Sequence, residues 1–134
     1  LVCAKSHDTA SVSAELARAG HDGCAVLSMQ NGVHNLETLR AALPASQVGG
    51  VAVYLGCERV APGHVVRRPS TTPRTGVVRD RLVGGPPGEA GALLRRLGDA
   101  VGLRTEIVPN PEVAVWTQLI GHGAPALFTA NPVA

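Results

Sequence analysis

The sequence has very few aromatic residues: Tyr54, Trp116 and Phe128 are the only three in a chain of 134. Its apolar content is nevertheless 45%, so a hydrophobic core can form, and that core must be built from Val, Leu and Ala. Twelve Lys and Arg residues stand against ten acidic ones, and the basic residues do not alternate with aromatics. This composition argues against a nucleic-acid-binding surface.

Cysteine is also scarce, and long hydrophobic runs are absent. Cys3, Cys24 and Cys57 are widely spaced and form no C-x-x-C pair, so the sequence indicates neither a metal site nor a disulfide framework. We expect three buried free thiols in a reducing, cytoplasmic protein. No apolar run reaches the roughly 18 residues of a membrane span, and the first residues do not follow the pattern of a signal peptide. We therefore expect no membrane partner.

The two ends of the chain indicate an internal piece of a longer protein. Residue 1 is Leu, and the run LVCA looks like a buried strand already in progress. The last residues, ALFTANPVA, lie within a helical or loop pattern.

Apolar runs and helical spacing alternate along the first half of the chain. This alternation predicts a strand, a helix, a strand, a helix capped by Asn35 and a third strand region, at residues 1–4, 6–18, 24–28, 35–43 and 48–60. Gly20 stands where the first helix should end. Units of this kind predict an α/β fold with a mostly parallel sheet.

The second half begins with short segments broken by Pro and Gly. HVVRR, GVVRD and RLVGG read as antiparallel β-ribbons. A helix at 88–101 and a strand at 104–108 follow, and Asn110-Pro111 opens a last helix. Trp116 is expected to pack in the core beneath that helix.

Polar residues follow the first two predicted strands. Lys5 comes directly after the first strand, and Gln30-Asn31-Gly32 comes after the second. Ligands of open α/β sheets bind beyond the carboxyl ends of the strands, so parallel strands would bring Lys5 and Asn31 to one crevice. The alternatives are a simple Asn-Gly turn and a solvated lysine. Together, the two positions favour a ligand site.

Four segments in this order carry a resemblance to a known family: VCAKSHDT, VLSMQNGVHNLETL, VYLGCERVAPGHV and EVAVWTQLIGHGAPALFTA. The chain resembles the ketopantoate reductases (2-dehydropantoate 2-reductases) over nearly its whole length. The resemblance implies a partial Rossmann-like NADP-binding domain at 1–109, lacking its first βαβ units. It also implies the start of a helical substrate and dimerisation domain at 110–134, and a homodimer is one assembly that this allows.

The resemblance also assigns roles to residues. Lys5, Asn31, Gly32 and Gly56 would contact the NADPH cofactor, and Asn31 would also contact the keto acid. The implied reaction is the reduction of ketopantoate to pantoate in pantothenate biosynthesis. Hydride passes from NADPH to the carbonyl carbon, and a lysine of the last helix protonates the oxygen.

The chain departs from the family pattern at that lysine, because the matching position is Gln118. A carboxamide has no dissociable proton near neutral pH. His122 lies four positions later on the same helix face and can donate a proton, since an unperturbed histidine has a pKa of about 6.5. We therefore take Gln118 and His122 as the candidate catalytic pair, with His122 also contacting the substrate. The alternative is that His122 is a polar surface residue.

Two further functions stay open at this point. One is a family member that has lost catalysis and serves as a binding or scaffold module. The other is a reductase of the same build that acts on a different 2-keto acid.

Overall fold

The structure, a computed structural model, describes residues 1–67 and 80–130, with side chains described as far as Gly121. A short 3-10 helix at Ser6–Asp8 precedes the regular elements. The helices are α1 Thr9–Arg18, α2 Asn35–Ala42, α3 Glu89–Val101 and α4 Pro111–Ala130. The strands are β1 Ala25–Ser28, β2 Gln47–Tyr54, β3 Cys57–Ala61, β4 His64–Arg67, β5 Arg81–Gly84 and β6 Arg104–Ile107.

Four of the strands form the central sheet in the order β1-β2-β5-β6. β1 pairs with β2 in parallel, β5 pairs with β6 in parallel, and one antiparallel pairing between β2 and β5 joins the two halves. A parallel bridge between Val2 and Ser28 extends the sheet beyond β1. The α/β fold with a mostly parallel sheet is therefore confirmed.

Helices cover both faces of this sheet, because successive strand side chains point to opposite sides. Val26 and Val48 pack with the leucines of α2, and the apolar side of α1 covers the same cluster. Leu27 lies one residue along β1 from Val26, and Val51 lies three residues along β2 from Val48, so both point to the other side and pack against Leu94 of α3. The buried apolar residues in the described part of the chain are Val, Leu and Ala only, as the composition predicts.

Helix α4 approaches β2 on the α2 side, and Gly50 permits the close contact. A Cβ at Gly50 would lie 2.9 Å from both Leu36 of α2 and Val115 of α4. Ala52, two residues along the same strand, is buried together with Ala114 of the same helix. Small residues on β2 thus allow the backbone of α4 to lie close to the sheet.

Two of the predicted strands differ from the structure. LVCA is not a strand: only Val2 pairs, through a single bridge, since its backbone meets the sheet edge at one point before the chain turns into the 3-10 helix. Residues 48–60 form two strands rather than one region. β2 belongs to the central sheet, whereas β3 pairs antiparallel with β4 in a separate two-stranded ribbon.

The other short segments divide between the two sheets. The ribbon predicted at HVVRR is confirmed as β4. RLVG instead joins the central sheet as β5, because it pairs antiparallel with β2. Most of GVVRD lies outside the described residues.

The predicted burial of the cysteines and of Trp116 is wrong. Cys3, Cys24 and Cys57 are all free and exposed, because each lies beside the end of a strand or in the two-stranded ribbon, outside the layers between sheet and helices. Trp116 is 50% exposed, since α4 turns Ala114, Val115 and Gln118 toward the sheet instead.

Gly20 and Asn110 mark helix ends as the sequence predicts, whereas Asn35 does not. Gly20 follows the end of α1 with φ of 75°, the left-handed conformation that favours glycine after a helix. Asn110 accepts a hydrogen bond from the Glu112 amide at the start of α4. Asn35 does not cap α2: the capping position is His34, and the Asn35 side chain is buried and bonded elsewhere.

Among the described residues, no helix is both long enough and apolar enough to cross a membrane.

Leu94 offers a test of the core on the α3 face, because its side chain is fully buried. We expect Leu94→Ala to lower the free energy of unfolding by about 2–5 kcal/mol, since it leaves a cavity between α3 and the sheet. Val101 lies on the same helix and is 58% exposed, so Val101→Ala should change stability by less than about 0.5 kcal/mol. Urea unfolding of both variants measures the difference, and equal losses would contradict the described core.

Candidate functional site

The chain segments that follow Val2 and β1 leave the sheet at the same edge. Val2 donates a backbone hydrogen bond to Leu27 at 2.8 Å and accepts one from Met29 at 2.9 Å. Since both segments run in the same direction, Lys5 follows the Val2 bridge and Asn31 follows β1 at the same edge of the sheet, as the sequence predicts.

Hydrogen bonds join the two segments directly. The Gln30 side chain donates through Nε2 to the carbonyl oxygen of Ala4 at 3.0 Å and approaches that of Lys5 at 3.5 Å. The Ser6 hydroxyl donates to the Asn31 carbonyl oxygen. The backbone around Lys5 therefore lies against the backbone around Asn31.

The chain turns sharply at Gly32, where φ is 107°. A Cβ at this position would lie 2.9 Å from the Ser6 hydroxyl oxygen and 3.2 Å from the Asn35 side-chain nitrogen. Asn35 Nδ2 also donates to the Asn31 carbonyl oxygen at 2.9 Å. Both the backbone conformation and the close packing thus require glycine, and the turn presents Asn31 at the edge of the sheet.

A cleft of about 410 Å³ opens to solvent at this edge. Its lining consists of Cys3, Met29, Asn31, Val53, Leu55 and Gln118. The structure thus brings two of the predicted site residues, Asn31 and Gln118, into one cleft, although they come from the loop after β1 and from α4. Met29, Val53 and Leu55 supply the apolar part of the lining.

Gln118 is held firmly in this cleft. It is only 6% exposed, and its Nε2 donates to the carbonyl oxygen of Val53 at 2.8 Å. That bond satisfies a carbonyl of β2 beyond its last pairing with β1 and attaches α4 to the sheet. One of the two N–H groups of the Gln118 amide is therefore already engaged by the protein's own backbone.

The remaining predicted site residues are placed less centrally. Lys5 is exposed, and neither Lys5 nor Gly56 is part of the described cleft lining. Gly56 lies in the connection between β2 and β3. The side chain of His122 lies outside the described residues, so its pairing with Gln118 stays a prediction.

Sequence reasoning missed four of the lining residues: Cys3, Met29, Val53 and Leu55. All four lie at or next to the ends of the paired segments. The same strand-end rule that selected Lys5 and Asn31 would have found them. In sequence alone, apolar residues next to a strand cannot be distinguished from the buried apolar residues of the strand itself.

The described residues that line the cleft include no charged side chain. Its polar side chains are the carboxamides of Asn31 and Gln118 and the thiol of Cys3. Among the described residues, no group of three or more His, Cys, Asp and Glu side chains is placed to hold a metal ion. The described part of the cleft can therefore position a ligand by hydrogen bonds and apolar contact.

Comparison with known proteins gives a consistent result. A family model described as ketopantoate reductase PanE/ApbA matches residues 1–77. The 2-dehydropantoate 2-reductase of Halobacterium salinarum is 32% identical over 123 residues, which are 90% of this chain and 38% of that protein.

Solved structures agree with the fold. A PanE/ApbA family ketopantoate reductase from Ralstonia eutropha matches with a TM-score of 0.68 and 34% identity, over 88% of this chain and 36% of that one. A 2-dehydropantoate 2-reductase from Geobacter metallireducens matches with a TM-score of 0.65 at 22% identity, over 38% of its length, and supports the fold alone. The chain thus spans little more than a third of the length of these proteins.

The hydrogen bond between Gln118 and Val53 gives a test of how α4 is attached. We expect Gln118→Met, which keeps the length of the side chain but removes the donor, to lower the free energy of unfolding by about 1 kcal/mol, because a part-buried carbonyl loses its partner. Thr117 is the exposed neighbour on the same helix, and Thr117→Ala should change stability by less than about 0.5 kcal/mol. Chemical denaturation of the full-length protein compares the two, and an unaltered stability of Gln118→Met would rule out the bond as an anchor.

Proposed function

This chain belongs to the ketopantoate reductase family, and on that premise we propose that the full-length protein reduces a 2-keto acid with NADPH. Ketopantoate, reduced to pantoate for pantothenate synthesis, is the proposed substrate. The observation that carries the proposal is the convergence of Asn31 and Gln118 on one cleft beyond the strand ends. A cytoplasmic homodimer is the form we propose for the enzyme.

The described residues fit the nicotinamide end of such a cofactor. The cleft joins an apolar floor of Met29, Val53 and Leu55 to the carboxamide of Asn31, which can donate and accept hydrogen bonds. A flat, partly apolar ring with a carboxamide needs this combination of surfaces. The bound dinucleotide would supply the hydride, and the chain's own residues would orient the reacting groups.

Asn31 has the central role in this proposal. Its carbonyl oxygen accepts hydrogen bonds from Ser6 and Asn35, so the backbone of the residue is fixed while its side chain lines the cleft. A donor held in advance can stabilise negative charge developing on the keto oxygen without rearranging during the reaction. We assign Lys5 to the cofactor from its place after the Val2 bridge, at the same edge of the sheet as Asn31, with Gly32 and Gly56 permitting close approach.

The proton donor is the part of the proposal in which this chain differs from its family. Gln118 cannot release a proton near neutral pH, and its Nε2 is bonded to Val53. We propose that His122, one helical turn further along α4, takes the role of acid, while Gln118 positions the substrate side of the cleft. An undiminished rate of hydride transfer in His122→Ala would remove His122 from the mechanism.

A second candidate function follows from the same observation about Gln118. Because Gln118 has no proton to release near neutral pH and bonds β2 through one of its N–H groups, the protein would bind cofactor and ligand without turnover and serve as a binding module. Binding of NADPH without oxidation of the cofactor in the presence of ketopantoate would favour this function. Oxidation with another 2-keto acid, but not with ketopantoate, would favour a reductase of different specificity.

Cofactor binding can be measured independently of turnover through the exposed cysteines. Cys3 lines the cleft, whereas Cys24 and Cys57 are exposed elsewhere. We expect NADPH to slow alkylation of Cys3 by about tenfold or more, because a ligand that fills a cleft buries most of its lining. Mass spectrometry of the labelled full-length protein measures the rate at Cys3 with and without NADPH, with Cys24 as the internal control because Cys57 adjoins Gly56. A rate at Cys3 that NADPH changes no more than the rate at Cys24 would argue against a dinucleotide in this cleft.

The role of Asn31 can be measured by turnover. We expect Asn31→Ala to lower kcat/KM for the reduction of ketopantoate by about 10- to 100-fold, because loss of a positioned donor misaligns the reacting group. His34 lies three residues away on the same loop, is exposed and is not part of the described cleft lining, so His34→Ala is the matched control. Equal activities in the two variants would exclude Asn31 from the site.

A further inference from the structure

Behind the cleft lies a buried group of polar side chains that none of the roles above explains. Gln30 is 4% exposed, Asn35 5% and Thr9 2%. Buried polar groups are costly unless they are hydrogen-bonded. Three such residues in a small aliphatic core therefore need a structural or functional reason.

Their hydrogen bonds form a continuous chain from one loop to the other. Gln30 Nε2 donates to the Ala4 carbonyl oxygen and, at 2.9 Å, to the Thr9 hydroxyl oxygen. Thr9 Oγ1 lies 2.9 Å from Asn35 Oδ1 and 2.9 Å from the Ser6 carbonyl oxygen. Since a hydroxyl has one proton, it can donate to only one of these two acceptors at a time.

The hydrogen bonds at the two ends of this series fix the orientation of the Gln30 and Asn35 amides. Gln30 Oε1 accepts from the Ser28 hydroxyl at 3.1 Å, and a flipped amide would set that oxygen against the Ala4 carbonyl. Asn35 Nδ2 donates to the Asn31 carbonyl oxygen at 2.9 Å, and a flip would likewise oppose two acceptors. Each amide therefore has one satisfied orientation, whichever of its two acceptors the Thr9 hydroxyl donates to.

We propose that Gln30, Thr9 and Asn35 are positioning residues, whose buried hydrogen bonds lock the loop after Val2 to the loop after β1 and so hold Asn31 in the cleft. None of the three lines the cleft; they act through the carbonyl oxygens of Ala4 and Asn31. This inference rests on the proposed function for its effect on turnover. Its structural part can be measured separately.

Thr9 is the best residue at which to interrupt this series of hydrogen bonds, because its hydroxyl lies between Gln30 and Asn35. Thr9→Val keeps the shape of the side chain but removes the hydroxyl that accepts from Gln30 and donates toward Asn35. Thr9→Ser keeps the hydroxyl and is the rescuing variant. Gln47→Met is the matched control, since Gln47 also bonds the backbone, at Pro87 and Ala90, but at the opposite end of β2 from Val53.

Two measurements on the full-length protein test the proposal. In Thr9→Val we expect kcat/KM to fall by about 10- to 100-fold, because Asn31 is no longer held in the position that orients the substrate. We also expect the Met29 amide, which bonds the Val2 carbonyl, to exchange its hydrogen about tenfold faster, because the two loops separate more often. Thr9→Ser and Gln47→Met should keep both values. A purely structural role would lower the melting temperature of Thr9→Val and Gln47→Met alike without lowering kcat.

The outcomes separate this inference from the proposed function. Equal kinetics and equal Met29 exchange in Thr9→Val and Thr9→Ser would overturn the positioning role while leaving the reductase activity intact. Loss of activity in Gln47→Met as large as in Thr9→Val would overturn it too. If the unaltered protein neither binds NADPH nor oxidises it, the proposed function is wrong, and the exchange comparison alone decides whether the loops are locked. If Thr9→Val does not fold, Ser28→Ala, which removes one bond to Gln30, takes its place.

Discussion

Parallel pairing of neighbouring strand ends is the constraint on which the rest of this structure depends. Val2 bridges to Ser28 in parallel, and β1 pairs with β2 in parallel. The loops that follow Val2, β1 and β2 therefore all begin at the same edge of the sheet. An antiparallel arrangement would have carried alternate loops to opposite edges. The pairing alone therefore brings Asn31 close to the residues that follow Val2 and β2.

Strand pairing determines at which edge of the sheet the loops lie, whereas buried hydrogen bonds determine where their side chains lie along that edge. A loop that leaves a strand has many conformations, and each ordered residue costs conformational entropy. Here, the carboxamides of Gln30 and Asn35 offset that cost with hydrogen bonds made inside the protein. Because an amide donor left unpaired in this environment is unfavourable, these bonds favour one arrangement of the loops over the alternatives.

The opposite wall of the cleft depends on close packing and on one further amide. Gly50 leaves room for Val115, and Gln118 then reaches the Val53 carbonyl. Gln118 thus attaches α4 to the sheet. It occupies the position at which the family pattern has the proton-donating lysine. In this chain that position contributes to architecture, and in the proposed reaction the proton would come from another group.

The sequence by itself determined the α/β class, the helices, the aliphatic core and the family, because hydrophobic periodicity, turn residues and ordered motifs are local properties of the chain. It also predicted that Asn31 lies at a strand end, since the strand and the Asn-Gly turn are adjacent in sequence. Only the tertiary structure decided that Gln118 bonds Val53, that the three thiols are exposed, and that Gln30, Thr9 and Asn35 form one buried chain. Such contacts join residues distant in sequence, and which polar atoms become buried together depends on how sheet and helices pack.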